Sequence, residues 1–311
     1  MIADRVPSQS SRLIVLVGPT AVGKSSLALR MAADGAEIVS ADSRHVYVGM
    51  DIGTAKPTLE ERLRVPHHMI DLIFPDQTYS AAEYAREAGA IVDRILAGGQ
   101  AALVVGGSGL YIKALLRGLF SGPAADRTLR EKLQSKAPEE LRRELEMVDP
   151  EAARRIHSKD RVRTIRALEV YHLTGKPIST LQSRHAFPNR YPDAVVIGLT
   201  RERFDLYQRI EKRVDEMIEQ GLAAEVAGLL KAGYSADLPA LQTLGYRHMG
   251  RVLLGQWSME EAVRHLKKDT KAFAKRQLTW FRAMEGVRWF DLSGSGEEDV
   301  AKSLEPRAFS A

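Results

Sequence analysis

The chain has 311 residues, with 45 Lys and Arg against 40 Asp and Glu, a formal net charge of +5 and an apolar fraction of 44%. That is enough for one large domain or two, and no apolar run approaches the roughly 18 residues needed to span a bilayer. Cysteine is absent, which excludes disulfides, cysteine-ligated zinc and thiolate-bound iron–sulfur clusters, and with them cluster-based radical RNA modification.

Met1–Ser11 is short and polar, unlike a secretion signal, so a cytoplasmic protein without a membrane segment is expected. Leu13–Val17 is a continuous apolar run ending in Gly18-Pro19 and reads as a buried parallel strand. Helix-forming residues follow over Ser25–Ala33, then a second strand over Glu37–Ser40 that ends just before Asp42. Ser80-Ala-Ala-Glu83 is a capping-box signature that opens an Ala-rich helix to about Leu96. Ala102–Val105 is another apolar strand, followed by Gly106-Gly-Ser-Gly109 and a helix near Leu110–Leu116.

From residue 117 to 191 the character changes. Charged helical segments at about Asp126–Lys136, Pro138–Met147 and Asp160–Leu173 predict a helical insertion without strands. The core then resumes over residues 192–311 with a strand at Val195–Leu199. Phe204, Tyr207, Ile210, Val214 and Met217 predict one apolar helix face, and Val263, Leu266, Phe273, Trp280 and Met284 another on a long helix from Met259 to about Met284. The tail after Ser293 is polar and reads as loosely ordered. The expected class is therefore α/β: a P-loop parallel-sheet core over residues 1–116 and 192–311 with helices on both faces, plus a helical insertion over 117–191.

The most specific motif is Gly18-Pro-Thr-Ala-Val-Gly23-Lys24-Ser25, which matches G-x-x-x-x-G-K-[ST] between a strand and a helix. Its glycines let the backbone form a nest of N–H donors at a helix N-terminus. Lys24 adds a mobile cation and Ser25 a hydroxyl for Mg²⁺. The motif fixes a diphosphate or triphosphate ligand and leaves the reaction open. No Asn-Lys-x-Asp motif is present, which argues against a GTPase and leaves a small-molecule kinase in contention. Asp42 follows a strand expected to lie directly beside the phosphate-loop strand, so its carboxylate falls at the carboxyl edge of the sheet. Position alone leaves three roles open for it: Mg²⁺ ligand, general base or loop cap. The neighbouring His67 and His68 lack the carboxylate pattern of a metal site.

Sequence blocks along the whole chain decide among these. Gly18–Ser25, Ala41-Asp-Ser-Arg-His-Val-Tyr47, Gly49–Pro57 and Pro66–Asp71 resemble the tRNA dimethylallyltransferases, also called tRNA isopentenyltransferases. So do Val105–Tyr111, Arg166–Val170 with Thr174–Pro177, Leu244–Arg247 and Lys275–Arg282, in the family's order. The resemblance implies that dimethylallyl diphosphate lies with its diphosphate against Gly18, Pro19, Thr20, Ala21, Val22, Gly23, Lys24 and Ser25. The N6 amine of the adenosine just 3′ of the anticodon would attack its allylic carbon. Asp42 would accept the amine proton, and Lys24, Mg²⁺ on Ser25, Arg209 and Arg213 would stabilise the leaving diphosphate. Ser108 stands where the family commonly has threonine, and its hydroxyl would contact the diphosphate or the target nucleotide.

The same resemblance puts Asp42, Ser43, Arg44 and His45 at the target base, with His45 where the family usually has glutamine. It assigns tRNA contacts to Arg130, Arg163 and Arg166 in the insertion and to Lys271, Lys275, Arg276, Gln277 and Arg282 near the end of the long helix. The residues give independent support there. Arg264 to Arg282 holds seven Lys or Arg and one Asp, and Arg264, Lys268, Lys271, Lys275 and Arg282 form a basic stripe. Trp280 and Phe281 beside it are candidates for base stacking or core packing. The expected partners are the tRNA anticodon stem-loop and dimethylallyl diphosphate, the expected cofactor is Mg²⁺, and the expected state is a monomer. The rivals are prenylation of free adenine nucleotides, a P-loop kinase, and a non-enzymatic RNA-binding ATP switch.

Overall fold

The computed structural model describes residues 13–32, 35–120, 122–185 and 188–293. The first part of the chain runs β1 (Leu13–Val17), α1 (Lys24–Met31), β2 (Glu37–Ser40), α2 (Leu59–Arg64), β3 (His67–His68), α3 (Ala81–Ala97), β4 (Ala102–Gly106) and α4 (Gly109–Arg117). Five helices follow: α5 (Arg127–Gln134), α6 (Pro138–Val148), α7 (Pro150–Arg155), α8 (Arg161–Thr174) and α9 (Ile178–Arg184). The chain then returns through β5 (Val195–Thr200), α10 (Arg203–Glu219), α11 (Leu222–Lys231), α12 (Tyr246–Leu253), α13 (Met259–Arg282) and β6 (Val287–Asp291). It divides into two compact units, one running to Leu116 and resuming at Arg190, the other Arg117–Asn189.

The six strands form one sheet in the order β3-β2-β4-β1-β5-β6, with every neighbouring pair parallel. A parallel sheet covered on both faces demands strands that are apolar throughout, and β1 and β4 are buried along their whole length. Alternate residues serve opposite faces. Ile14 and Leu16 pack with Leu27 of α1 and Leu206 and Ile210 of α10. Leu13, Val15 and Val17 pack instead with Tyr84, Val92 and Ile95 of α3 and Ile112 and Leu115 of α4. The capping box at Ser80 is formed as the sequence predicts, with Glu83 N–H donating to Ser80 Oγ and Ser80 N–H donating to the Glu83 carboxylate.

A third apolar cluster joins α10, α11, α12 and the first half of α13 to Val46, Tyr47 and Met50 of the long connection after β2. That connection is also held by ions. Lys56 is buried and donates to Tyr47 O at 2.7 Å and to the carboxylates of Asp51 and Asp71 at 2.5 and 2.6 Å. Glu225 on α11 accepts from the backbone N–H groups of Asp51, Ile52 and Gly53 and from the Tyr246 hydroxyl.

The insertion unit has its own core of Leu133, Leu141, Leu145, Ile165, Leu168 and Ile178. The sequence foresaw α5, α6 and α8 but not the short helices α7 and α9. Both are pinned by Asp149, which caps α7 through Ala152 N–H and accepts from Ser179 N–H and Oγ of α9. The edge strands β3 and β6 and the helices α2, α11 and α12 were likewise not foreseen.

Two predicted helix faces need correction. On α10 the buried residues are Leu206, Ile210, Val214 and Met217, whereas Phe204 is 68% exposed at the first turn. On α13 they are Ala262, Leu266, Ala274, Gln277 and Phe281, and Trp280 is 39% exposed. Core contact there takes in two alanines and one amide as well, which an apolar count passes over. The polar tail after Ser293 lies outside the described residues.

Candidate active site

Three loops meet at the carboxyl edge of the sheet, after β1, β4 and β2. The sequence placed β2 directly beside β1, but β4 lies between them. Asp42 is therefore two strands from the phosphate loop, and the segment carrying Ser108 fills the gap. Sequence cannot decide this, because strand order is set by which crossovers pack and not by chain proximity.

The phosphate loop spans the β1–α1 turn. Gly23 is left-handed at φ 115° where it precedes α1, a conformation that glycine adopts at no steric cost. Ala21 is also left-handed, at φ 63°, a costly state for a residue with a Cβ. The surrounding side chains hold that shape by binding the loop's carbonyls. Lys24 Nζ donates to Gly18 O and Pro19 O at 3.0 and 2.8 Å, Arg209 Nε to Ala21 O at 3.0 Å, and Arg201 Nε to Val22 O at 2.8 Å. Burial, reinforced by the nearby Arg213, pushes the Lys24 ammonium down to about 7, against the pull of Asp42. Burial also lowers Arg213, opposed by Asp42 and Glu216. Neither cation has a carboxylate ion pair among the described residues. Ser25 is exposed in the first turn of α1.

Asp42 opens a tight turn, its Oδ1 accepting from Arg44 N–H at 2.8 Å. The next loop is stitched to it: Ser108 N–H donates to Ala41 O at 3.1 Å and Ser43 N–H donates to Ser108 Oγ at 2.9 Å. The candidate carboxylate and hydroxyl thus belong to one rigid unit. His45 is turned inward. Its Nε2 donates to Thr54 O at 3.2 Å, so its Nδ1 is the acceptor for Ser40 Oγ at 3.0 Å. Burial keeps that imidazole below its ordinary value, against the pull of Asp42.

Gln277 is 7% exposed and reaches the site from α13. Its Oε1 accepts from Thr20 N–H at 2.8 Å and its Nε2 donates to Gly107 O at 3.0 Å. The glycine run after β4 follows from such close approach: a Cβ on Gly107 would fall 2.1 Å from Gln277 Nε2. Of the predicted RNA contacts, Lys275, Arg276 and Arg282 are exposed on α13, while Lys271 pairs with Glu211 and lies 5.2 Å over the Tyr207 ring. Lys268, Lys271 and Lys275 line a groove of about 760 Å³ beside α10.

Within the insertion, Arg130 and Arg166 both close on Glu169, whose carboxylate is fully buried, at 2.8 and 2.5 Å. Arg163 is exposed and pairs with Asp160 at 3.3 Å. Sequence reasoning missed Lys56, Arg201 and Glu225 as organisers of the site. Arg201 alone had a signal, since it directly follows a core strand at the same sheet edge. The described residues contain no group of three or more His, Cys, Asp or Glu that could hold a metal.

A parallel sheet whose first strand runs into a glycine loop matching the P-loop motif and braced by cations, with a carboxylate and a hydroxyl from the two nearest loops on one side, has the form of a P-loop α/β protein. The model of the IPP transferase family matches residues 45–284. The chain is 52% identical over 286 residues to tRNA dimethylallyltransferase 2 of Geotalea uraniireducens, covering 90% of this chain and 92% of the relative. It is 47% identical to the tRNA dimethylallyltransferase of Thermotoga neapolitana, covering 94% and 96%. Its fold matches the crystal structure of the tRNA isopentenylpyrophosphate transferase of Bacillus halodurans with a TM-score of 0.71 at 38% identity, over 95% and 94% of the two chains. A eukaryotic dimethylallyltransferase acting on tRNA aligns with a TM-score of 0.81 at 27% identity, over 96% of this chain and 78% of that one. The chain belongs to the IPP transferase family.

Proposed function

We propose that this protein transfers a dimethylallyl group from dimethylallyl diphosphate to N6 of the adenosine 3′-adjacent to the anticodon in tRNA, releasing diphosphate. The observation that carries the reading is the site's composition. A cradle for an anion sits beside the loop that carries Ser108, and that loop is locked to the turn that carries the Asp42 carboxylate. Family membership supports the same reaction.

In the proposed step the N6 lone pair attacks the allylic carbon, and the carbon–oxygen bond to the diphosphate breaks with its electrons leaving on oxygen. Asp42 takes the proton from the nitrogen. An exocyclic amine is a weak nucleophile, so removing its developing charge lowers the barrier. Lys24, Arg209 and Arg213 meet the charge growing on the diphosphate, and Ser108 orients the reacting groups beside Asp42. The exposed Ser25 hydroxyl suits Mg²⁺, which is held by few protein oxygens and completes its shell with phosphate and water. When bound there, Mg²⁺ would neutralise diphosphate charge.

Arg44 and Ser43 border the target base. Lys271, Lys275, Arg276 and Arg282 take phosphates of the anticodon stem-loop, and Arg130, Arg163 and Arg166 add contacts from the insertion. No helix among the described residues is long and apolar enough to cross a membrane. Our reading is of a cytoplasmic enzyme acting as a monomer. The test is to incubate the protein with labelled dimethylallyl diphosphate and, separately, unmodified tRNA, AMP and ATP. Label enters tRNA alone if the proposal holds. Label in AMP or ATP instead would assign it to free-nucleotide prenylation, and label in none would remove the activity.

A further inference from the structure

Gln277 lies where α13 crosses from one apolar face of the sheet to the other. Ala274, three residues before it, packs in the cluster beneath α1 and α10, while Phe281, four residues after it, packs in the cluster beneath α3 and α4. The helix therefore passes over the carboxyl edge between these two anchors, and what it meets there is loop backbone. A buried side chain at that point must satisfy polar groups, and a carboxamide offers one acceptor and one donor on the same end. Gln277 uses both, on Thr20 N–H of the phosphate loop and Gly107 O of the loop that carries Ser108.

We infer that Gln277 is a positioning residue for prenyl transfer, fixing the separation between the diphosphate cradle and the loop bearing Ser108. The inference rests on the site reading proposed above. The two loops follow neighbouring strands, β1 and β4, whose register fixes them only as far as Val17 and Gly106. Beyond that, the amide is the bridge that spans them. Gly107 is cut to the same shape, since any Cβ there would collide with Nε2. Glutamate would keep the acceptor but set a carboxylate against the Gly107 carbonyl and beside an anion site. Methionine would fill the space and leave both backbone groups unsatisfied. Because Gln277 is buried, its loss acts on the reaction and leaves the basic outer face of α13 intact.

The experiment compares Gln277→Met, Gly107→Ala and the double variant, each shown folded by circular dichroism and thermal melting. It measures kcat, KM for dimethylallyl diphosphate, and the Kd for tRNA. Each single variant is expected to lower kcat/KM for dimethylallyl diphosphate by about tenfold or more, since displacement of a positioned group by an ångström is enough to do so. The tRNA Kd should stay within about threefold. The double variant should be no worse than the poorer single, because both act on one bridge. If Gln277→Met does not fold, Gly107→Ala carries the same comparison. Weakened tRNA binding with unchanged kcat and KM would return Gln277 to RNA contact and overturn the inference. Asp42→Asn in the same assay separates the two levels. If it loses turnover while the Gln277 and Gly107 variants behave as wild type, only the positioning role fails; if it stays active, the site reading itself is wrong.

Discussion

In the insertion, Arg130 and Arg166 converge on one buried carboxylate, and Glu169 also accepts from Asp126 N–H. At the sheet edge, Lys24 is partly buried and rests on two carbonyl oxygens, and Arg213 near it has no ion pair among the described residues. A partly buried cation without a bonded carboxylate is costly, and the protein retains two of them near each other, with Asp42 acting on both only from a distance. The contrast separates charges that build the fold from charges left without a bonded carboxylate at the proposed site. The insertion arginines are structural first, and any RNA contact they make uses the donors that Glu169 leaves over. The edge cations are met only by backbone carbonyls and a distant Asp42, which is the arrangement that the proposed diphosphate site calls for.

The comparison breaks most visibly at Asp42, the acid that faces the edge cations without bonding them. Asp42→Asn should reduce turnover by about 10²-fold or more while tRNA binding stays within a few-fold. Single-turnover transfer and filter binding check this, and full activity would remove the proton-acceptor role. Next in size is the pH response of Lys24. Burial and the nearby Arg213 push its ammonium down to about 7, and a bound diphosphate must raise that value. Below pH 7 the cation is already present. Above it the group is neutral when free and charged when bound, so binding takes up a proton. Affinity for dimethylallyl diphosphate should therefore fall by up to about tenfold per pH unit between 7 and 9. Calorimetry in buffers of different ionisation enthalpy should find about one proton taken up at pH 8, and none in Lys24→Met.

In the insertion the expected loss is of stability. Glu169→Gln should cost about 1–3 kcal/mol in denaturant unfolding by weakening both arginine contacts. Burial alone would raise this carboxyl, but the hydrogen bonds from Arg130 and Arg166 outweigh it and hold it low. That contribution is therefore complete above the ordinary glutamate range and is lost only as the pH falls through the lowered value. An unchanged midpoint would mean the triad is not structural. The smallest effect belongs to the RNA face. Lys275→Ala should reduce the salt slope of tRNA binding by about 1. Lys271→Ala should reduce it by less, because Glu211 already holds that ammonium. Equal slopes for both variants and the wild type would mean that neither lysine meets phosphate.

The chain's local chemistry determined much of this protein. The phosphate loop between an apolar strand and a helix, the Ser80 capping box and the helical character of residues 126–173 are readable because each depends on residues within a few positions of one another. The successive blocks from Gly18 to Arg282, in the family's order, were enough to expect the family. The tertiary structure alone decided what depends on distant partners. It interposed β4 between the loops of Lys24 and Asp42, because crossover packing sets strand order. It turned His45 inward onto Ser40 and Thr54, and it buried Gln277 between two loops, one of them 257 residues away in the chain. A polar side chain is assigned to solvent, substrate or core by which unsatisfied backbone groups the fold brings to it, and no local pattern records that.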